Sequence, residues 1–257
     1  MGKHPFFLYF FKKGLLKNGQ RCFTSIDRSS QPKWYTLKKI RNFHEKRKSE
    51  ESKMNEKFFS LPKEKQQAIL DAGYRVFSQN SYKKSPMSEI ASAAGISKSL
   101  LFHYFHNKQE LYLFLWENCA QLTIRYLTEY QCYEQTDLFE MLYSGLKAKI
   151  RIIHEYPNIG AFVIKAYYEK DPEVGPAIQT IYKKYVNSKS KNSLMRVDPK
   201  QFRDGIDLEM MYRDMYYASE GYLLEETRKG PVDADKMEKD FMEMIAFWKE
   251  IYLKKEE

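Results

Sequence analysis

A chain of 257 residues with 43% hydrophobic content can bury one large core, or a small and a medium one sharing a boundary, which excludes a wholly disordered polymer. The formal charge of +9 is not a property of the folded part: fourteen of the 43 Lys/Arg and only four of the 34 Asp/Glu fall within residues 1–53, leaving 29 basic and 30 acidic residues elsewhere. Cys22, Cys119 and Cys132 match neither a zinc spacing nor a disulfide framework, and the longest apolar run, residues 5–11, is far short of the ~20 residues needed to cross a bilayer, so a cytoplasmic protein with no metal and no membrane contact is expected.

At the amino end, residues 5–11 have basic flanks like the core of a secretory signal, but no small-residue cleavage site follows them, so export is not expected. Residues 12–53 show no apolar period and end in the run His44-Glu45-Lys46-Arg47-Lys48-Ser49-Glu50-Glu51. Residues 1–53 are therefore expected to form a disordered basic leader. Two readings of it stay open: an extension upstream of a start at Met54, and an arm that lies along nucleic-acid phosphates and adds salt-dependent affinity.

From Pro62 onward the helical period dominates and no strand is expected. Pro62 suits a first helical turn, and Ile69, Ala72, Gly73, Val76 and Phe77 form one apolar stripe of a helix ending near Gln79-Asn80. Ser85-Pro86 repeats the start signal, with a hydroxyl at the cap, and Met87, Ile90, Ala91 and Ala94 form a short stripe that Gly95 breaks. Beyond Lys108, six longer helices are expected over residues 111–130, 137–155, 157–170, 176–195, 207–228 and 235–253. Pro and Gly pairs such as Gly175-Pro176 and Gly230-Pro231 separate them. The fold class is all-α, about nine helices.

The informative stretch runs from Met87 to Phe105. Two short helices cross at a steep angle only if the residue at closest approach is small and the turn accepts a positive φ; Ala91 and Gly95 meet those needs. Ile90, Ala94, Ile96, Leu101 and Tyr104 are spaced to point inward, which leaves Ser97, Lys98, Ser99, Leu100 and His103 on the outer face and amino end of the second helix. That is the end which enters the major groove in a helix-turn-helix. Lys98 can donate to guanine or phosphate, Ser99 to several base edges, Leu100 can touch a thymine methyl, and His103 can reach a phosphate or a base. Lys108 adds a charge beside helix-start amides that already attract phosphate.

The segment Ile90-Ala91-x-x-Ala94-Gly95-Ile96-Ser97-Lys98-x-x-Leu101-Phe102-His103-Tyr104-Phe105-x-Asn107-Lys108-Gln109-Glu110-Leu111 resembles the signature of TetR-family repressors. With the helix before it, the resemblance covers about fifty residues. It implies a homodimer on a palindromic double-stranded DNA operator, released when a small molecule binds the larger domain. It also implies that Ser85 and Lys108 hold phosphates while Lys98, Ser99, Leu100 and His103 read bases. Phe102 stands where a phosphate-bonding tyrosine is usual, and Ser99 where a glycine is frequent.

The expected organisation is a leader over 1–53, a three-helix DNA-binding domain over 54–108, and a helical ligand-binding and dimerisation domain over 109–257. Apolar stripes through Met211, Met215 and Tyr222, and through Phe241, Ile245 and Trp248, are expected to pair two subunits in a four-helix interface, the alternative being intramolecular core. Trp116, Met141, Tyr143, Phe162 and Tyr167 are expected to line a pocket for a small hydrophobic or aromatic ligand, although plain core is the commoner fate of such residues. No phosphate-cradling loop, metal-spaced His/Cys set or nucleophile motif is found, so neither a cofactor nor catalysis is expected. The functional alternative is a DNA-binding protein of this fold acting through a protein partner or chromosome organisation, without a ligand.

Overall fold

The structure is a computed structural model that describes residues 56–193 and 196–255, with no account of the side chains of residues 56 and 186–193. The leader expected over residues 1–53 lies outside the described residues. Among the described residues there are ten α-helices: α1 (Glu56–Phe59), α2 (Lys63–Gln79), α3 (Met87–Ala93), α4 (Lys98–Tyr104), α5 (Lys108–Glu129), α6 (Leu138–Glu155), α7 (Ile159–Tyr167), α8 (Gly175–Ser193), α9 (Leu208–Lys229) and α10 (Ala234–Tyr252). One isolated antiparallel bridge joins Phe202 to Leu253, and Arg203 N–H donates to the Tyr252 carbonyl, tying the loop before α9 to the end of α10. The one-turn helix α1 was not anticipated; the Phe58 ring anchors it against Phe105 and Phe114 at 5.2 and 5.4 Å.

Short polar caps start four of the long helices. Asn107, Asp137, Asp207 and Asp233 each accept a first-turn backbone N–H, satisfying amides that have no partner inside the helix. Ser85 does not act this way. The residue flanking α3 is Pro86, with no side-chain cap, and the Ser85 hydroxyl instead donates back to the Ser81 carbonyl at 3.0 Å, closing the turn between α2 and α3.

The packing centres on α2, which lies against α3, α5 and α7. Gly73 makes the α2–α5 approach possible, since a Cβ there would lie 2.7 Å from Leu115 Cδ1. Buried side chains from Phe58 to Trp248 form one continuous cluster, so the short amino-terminal helices and the long helices share their core.

Helices α9 and α10 run antiparallel, pinned by Tyr222 OH to Asp240 at 2.8 Å and Tyr252 OH to Asp214 at 3.1 Å. The expected subunit interface needs correction. Met211, Met215, Phe241, Ile245 and Trp248 are all buried within the single chain, and Tyr222 is half-buried against Phe241. A side chain that has already lost its contact with water has almost no further area to give a partner. Periodicity marks an apolar face but does not say which chain covers it. The apolar residues that α9 and α10 leave exposed are others: Met210 and Tyr217 on α9, and Met242, Phe247 and Ile251 on α10.

Candidate nucleic-acid interface

The α3–turn–α4 unit is built as its residues dictate. Gly95 adopts φ +67°, and the chain closes α3 with Gly95 N–H donating to Ser92 O at 3.1 Å and Ile96 N–H donating to Ala91 O at 3.0 Å. This is a Schellman ending, which spends a left-handed glycine to satisfy two carbonyls and reverse the chain sharply. Ile90, Ala91, Leu101 and Tyr104 are buried and lock the crossing, while Ala94 and Ile96 are half-buried at its rim.

At the start of α4 the Ser97 hydroxyl accepts Leu100 N–H at 3.1 Å and lies 3.0 Å from the Ser99 hydroxyl. Ser97, Lys98, Ser99, Leu100, Phe102 and His103 are all exposed and lie within two turns. The Lys98 ammonium sits 5.9 Å from the Phe102 ring centre. Leu100 and Phe102 keep 37% and 36% of their surface in water, an apolar presence where a solvated helix would be polar. The surface therefore combines hydroxyls, one fixed cation, an imidazole and two apolar side chains at one helix end, the mix needed to touch both phosphates and base edges.

Lys108 opens α5 half-buried. Its Nζ donates to the Lys83 carbonyl at 3.2 Å and lies 4.4 Å from the Tyr82 ring. This contact brings the exposed Lys83 and Lys84 to the amino end of α5. The sequence reading passed over both lysines, although a basic pair directly before Ser-Pro was visible. Ser85, buried with its hydroxyl engaged, is not presented to a phosphate.

The residues expected to line a pocket have varied surroundings. Phe162 packs 5.3 Å from Tyr74 and 5.4 Å from Tyr112. The Met141 carbonyl accepts the Cys132 thiol proton, and half-buried Tyr143 lies under the Lys147 ammonium at 4.1 Å. Trp116 and Tyr167 are buried in the long-helix layer. An open recess of about 400 Å³ lies elsewhere, lined by Tyr222, Asp240, Glu243, Met244 and Phe247. Among the described residues no group of three His, Cys, Asp or Glu is placed to hold a metal, and no helix is long and apolar enough to cross a membrane.

With the geometry in place, the comparisons with known proteins bear on it directly. The family described as bacterial regulatory proteins, tetR family, matches residues 69–114, from the second half of α2 into α5. The chain is 30% identical over 91 residues to the HTH-type transcriptional regulator AcrR of Shigella flexneri; the match covers 34% of this chain and 42% of that protein, less than half its length. It is 22% identical over 142 residues to the fatty acid metabolism regulator protein of Bacillus subtilis strain 168, covering 55% and 73% of the two chains. A TetR family transcription regulator from Marinobacter aquaeolei VT8 shares the fold with a TM-score of 0.52 at 18% identity, over 75% of this chain and 97% of that one. The left-handed turn at Gly95 lies inside the stretch that matches, so residues 69–114 are similar to the tetR family of bacterial regulatory proteins, while the helical array as a whole shares the fold of the solved structure.

Proposed function

We propose that the chain is a sequence-specific DNA-binding transcription regulator that acts as a homodimer on a palindromic operator and is released by a small molecule. The observation that carries this reading is the exposed, mixed polar and apolar face of α4 behind a Schellman turn that aims it outward. In this reading Lys98, Ser99, Leu100 and His103 contact base edges in the major groove. Ser97 and Phe102 flank them at the groove wall, and Lys108 with Lys83 and Lys84 faces phosphates. Phosphate contacts fix register, and base contacts carry specificity.

Residues 54–108 are read as the DNA-contacting unit and 109–257 as the sensing and pairing unit. The pairing surface is assigned to Met210, Tyr217, Met242, Phe247 and Ile251 around the recess between α9 and α10, because exposed apolar patches of this kind mark partner surfaces. Two relatives are named as regulators, one a transcriptional regulator and one a fatty acid metabolism regulator protein; those names describe the relatives only, and they support the regulator reading here.

The test is selection of bound duplexes from a randomised pool, followed by mobility shift on the recovered operator. Replacing Lys98 and His103 together with Ala is expected to abolish specific binding while leaving helicity unchanged by circular dichroism. Unaltered operator affinity in that variant would remove α4 from the interface and the proposal with it.

A further inference from the structure

We propose that the interior between α5, α7 and α8 holds a small, neutral, largely apolar molecule through a carbonyl oxygen, which accepts hydrogen bonds from the Trp116 indole N–H and the Tyr182 hydroxyl. This rests on the ligand-responsive reading above and names the chemistry of the ligand.

Both side chains are more than nine-tenths buried, at 5% and 7% exposure, and among the described residues neither Trp116 Nε1 nor Tyr182 OH has a hydrogen-bond partner. Buried polar groups are nearly always paired, so two unpaired ones on adjoining helices call for a partner. The two helices bring these groups to one level. Gln109 of α5 donates to the Glu173 carbonyl just before α8, and two turns on the Tyr185 hydroxyl of α8 donates to Glu117 of α5 at 2.7 Å. The helices therefore run in the same direction in a fixed register, and Tyr182, one turn before Tyr185, falls beside the turn that carries Trp116. The Tyr167 ring of α7 meets Tyr182 edge-on at 5.0 Å and closes the third side.

The chemistry of the two groups selects the ligand. An indole N–H only donates. Burial foremost, and then the neighbouring Tyr167 and Tyr216 phenols, push the Tyr182 hydroxyl up, so it stays protonated and has a proton to give. A hydrocarbon would leave both donors unmet. An amine brings further donors and no acceptor once protonated. A carboxylate would have to shed its hydration beside tyrosines and the Glu117 carboxylate, which disfavours a buried negative charge. A ketone or ester oxygen has two lone pairs for two donors, on a body that the aromatic walls accept.

The experiment uses the full chain free of DNA and two probe pairs that differ only by C=O against CH2: acetophenone with ethylbenzene, and benzophenone with diphenylmethane. In calorimetry at least one ketone is expected to bind at least tenfold more tightly than its hydrocarbon. Tyr182→Phe should lose roughly tenfold of that ketone's affinity, the worth of one neutral hydrogen bond. In a proton–nitrogen NMR spectrum the ketone should move one of the three tryptophan indole resonances downfield, the one missing from Trp116→Phe, and the hydrocarbon should not.

Equal binding within both pairs, no binding by either ketone, or unchanged ketone affinity in Tyr182→Phe each overturns the proposal. The ligand-free melting temperature of Tyr182→Phe should not fall; a drop of several degrees shows the hydroxyl to be paired within the chain and overturns it too. These readouts contain no DNA. Loss of the ketone arms with intact operator binding therefore refutes this inference alone, whereas failure to bind any selected duplex refutes the regulator reading.

Discussion

The Glu169 carboxylate accepts the backbone N–H of Tyr82 at 2.9 Å, so the segment between α7 and α8 holds the turn between α2 and α3. Its other oxygen accepts the Lys170 and Asp171 amides at 3.0 and 3.1 Å, which fixes the carboxylate in place. Lys165 adds a second tie, donating to the Ser78 carbonyl at 3.0 Å. Any shift of α7 is thus passed to the segment that feeds the α3–α4 pair. A hydrogen bond to a charged acceptor is worth about 1.5–3 kcal/mol. Glu169→Ala is expected to weaken operator binding severalfold in a mobility shift with helicity retained, and Glu169→Gln to restore part of it. Equal affinity in all three proteins would show that the tie is not transmitted.

Leu100 gives a prediction about sequence preference. An exposed leucine at the groove-facing end of α4 gains only where it meets an apolar surface, and in the major groove that surface is the thymine 5-methyl. Replacing single thymines by uracil in the selected operator removes one methyl and no hydrogen bond. At one or two positions per half-site this is expected to cost about 1 kcal/mol, close to a buried methyl group, with Leu100→Ala insensitive to the same change. Uniform tolerance of uracil by the wild-type protein would count against the contact.

The helical fold and the outward face of α4 were legible in the sequence because their signals are local. A three- and four-residue apolar period, a proline at a helix start and a glycine after Ala94 act within a few residues, and the helix expected from Pro62 to near Gln79-Asn80 is found over Lys63–Gln79. What was not legible depends on which chain or element covers a face. Met215 and Phe247 are both large apolar residues on the last two helices, yet one is fully buried and the other 60% exposed. Ser85 failed for a related reason: a hydroxyl before Pro86 reads as a cap, and only the folded turn reveals that the Ser81 carbonyl claims it.

Gly73 tests the packing that carries α2 on α5. Alanine favours a helix interior over glycine by up to ~1 kcal/mol, but here its Cβ would meet Leu115 Cδ1 at 2.7 Å, and Leu115 is fully buried. The clash should win. Gly73→Ala is expected to destabilise by about 1 kcal/mol in chemical denaturation, and the loss should shrink in a Leu115→Val background. Net stabilisation by the single change would show that Leu115 has room to move.

Lys149 predicts a pH dependence. Burial inside α6 lowers its pKa to about 7, and the neighbouring Cys132 pulls the other way. Above that value the folded protein carries the lysine neutral while the unfolded chain, near 10.5, still binds the proton. The unfolded state then holds more protons, so stability rises with pH from about 7. The rise is readable to about pH 8.5, before the buried Cys119 and Cys132 thiols, both pushed up by burial, begin to act in the opposite direction as their unfolded counterparts ionise. Wild-type stability is expected to increase over pH 7–8.5, and Lys149→Met to be both flatter over that window and more stable at its lower end. Parallel curves for the two proteins would place the lysine's titration elsewhere.

The exposed face of α9 and α10 carries the last prediction. Tyr217 and Phe247 leave 57% and 60% of their surface in water, and Phe247 also forms one wall of the recess with Tyr222 and Met244. In a two-fold interface each subunit would present both a projecting ring and a recess, so one substitution acts twice. Phe247→Glu is expected to shift the protein from dimer to monomer in analytical ultracentrifugation at micromolar concentration, with its melting curve little changed because the residue contributes little to the subunit's own core. Met215→Glu, buried in that core, should instead prevent folding. Operator binding by Phe247→Glu should weaken far more than half-site binding, since the subunit keeps its α4 surface and loses only the coupling to a second one. A Phe247→Glu protein that remains dimeric would move the pairing surface away from these two helices, while the contrast with Met215 would still separate surface from core.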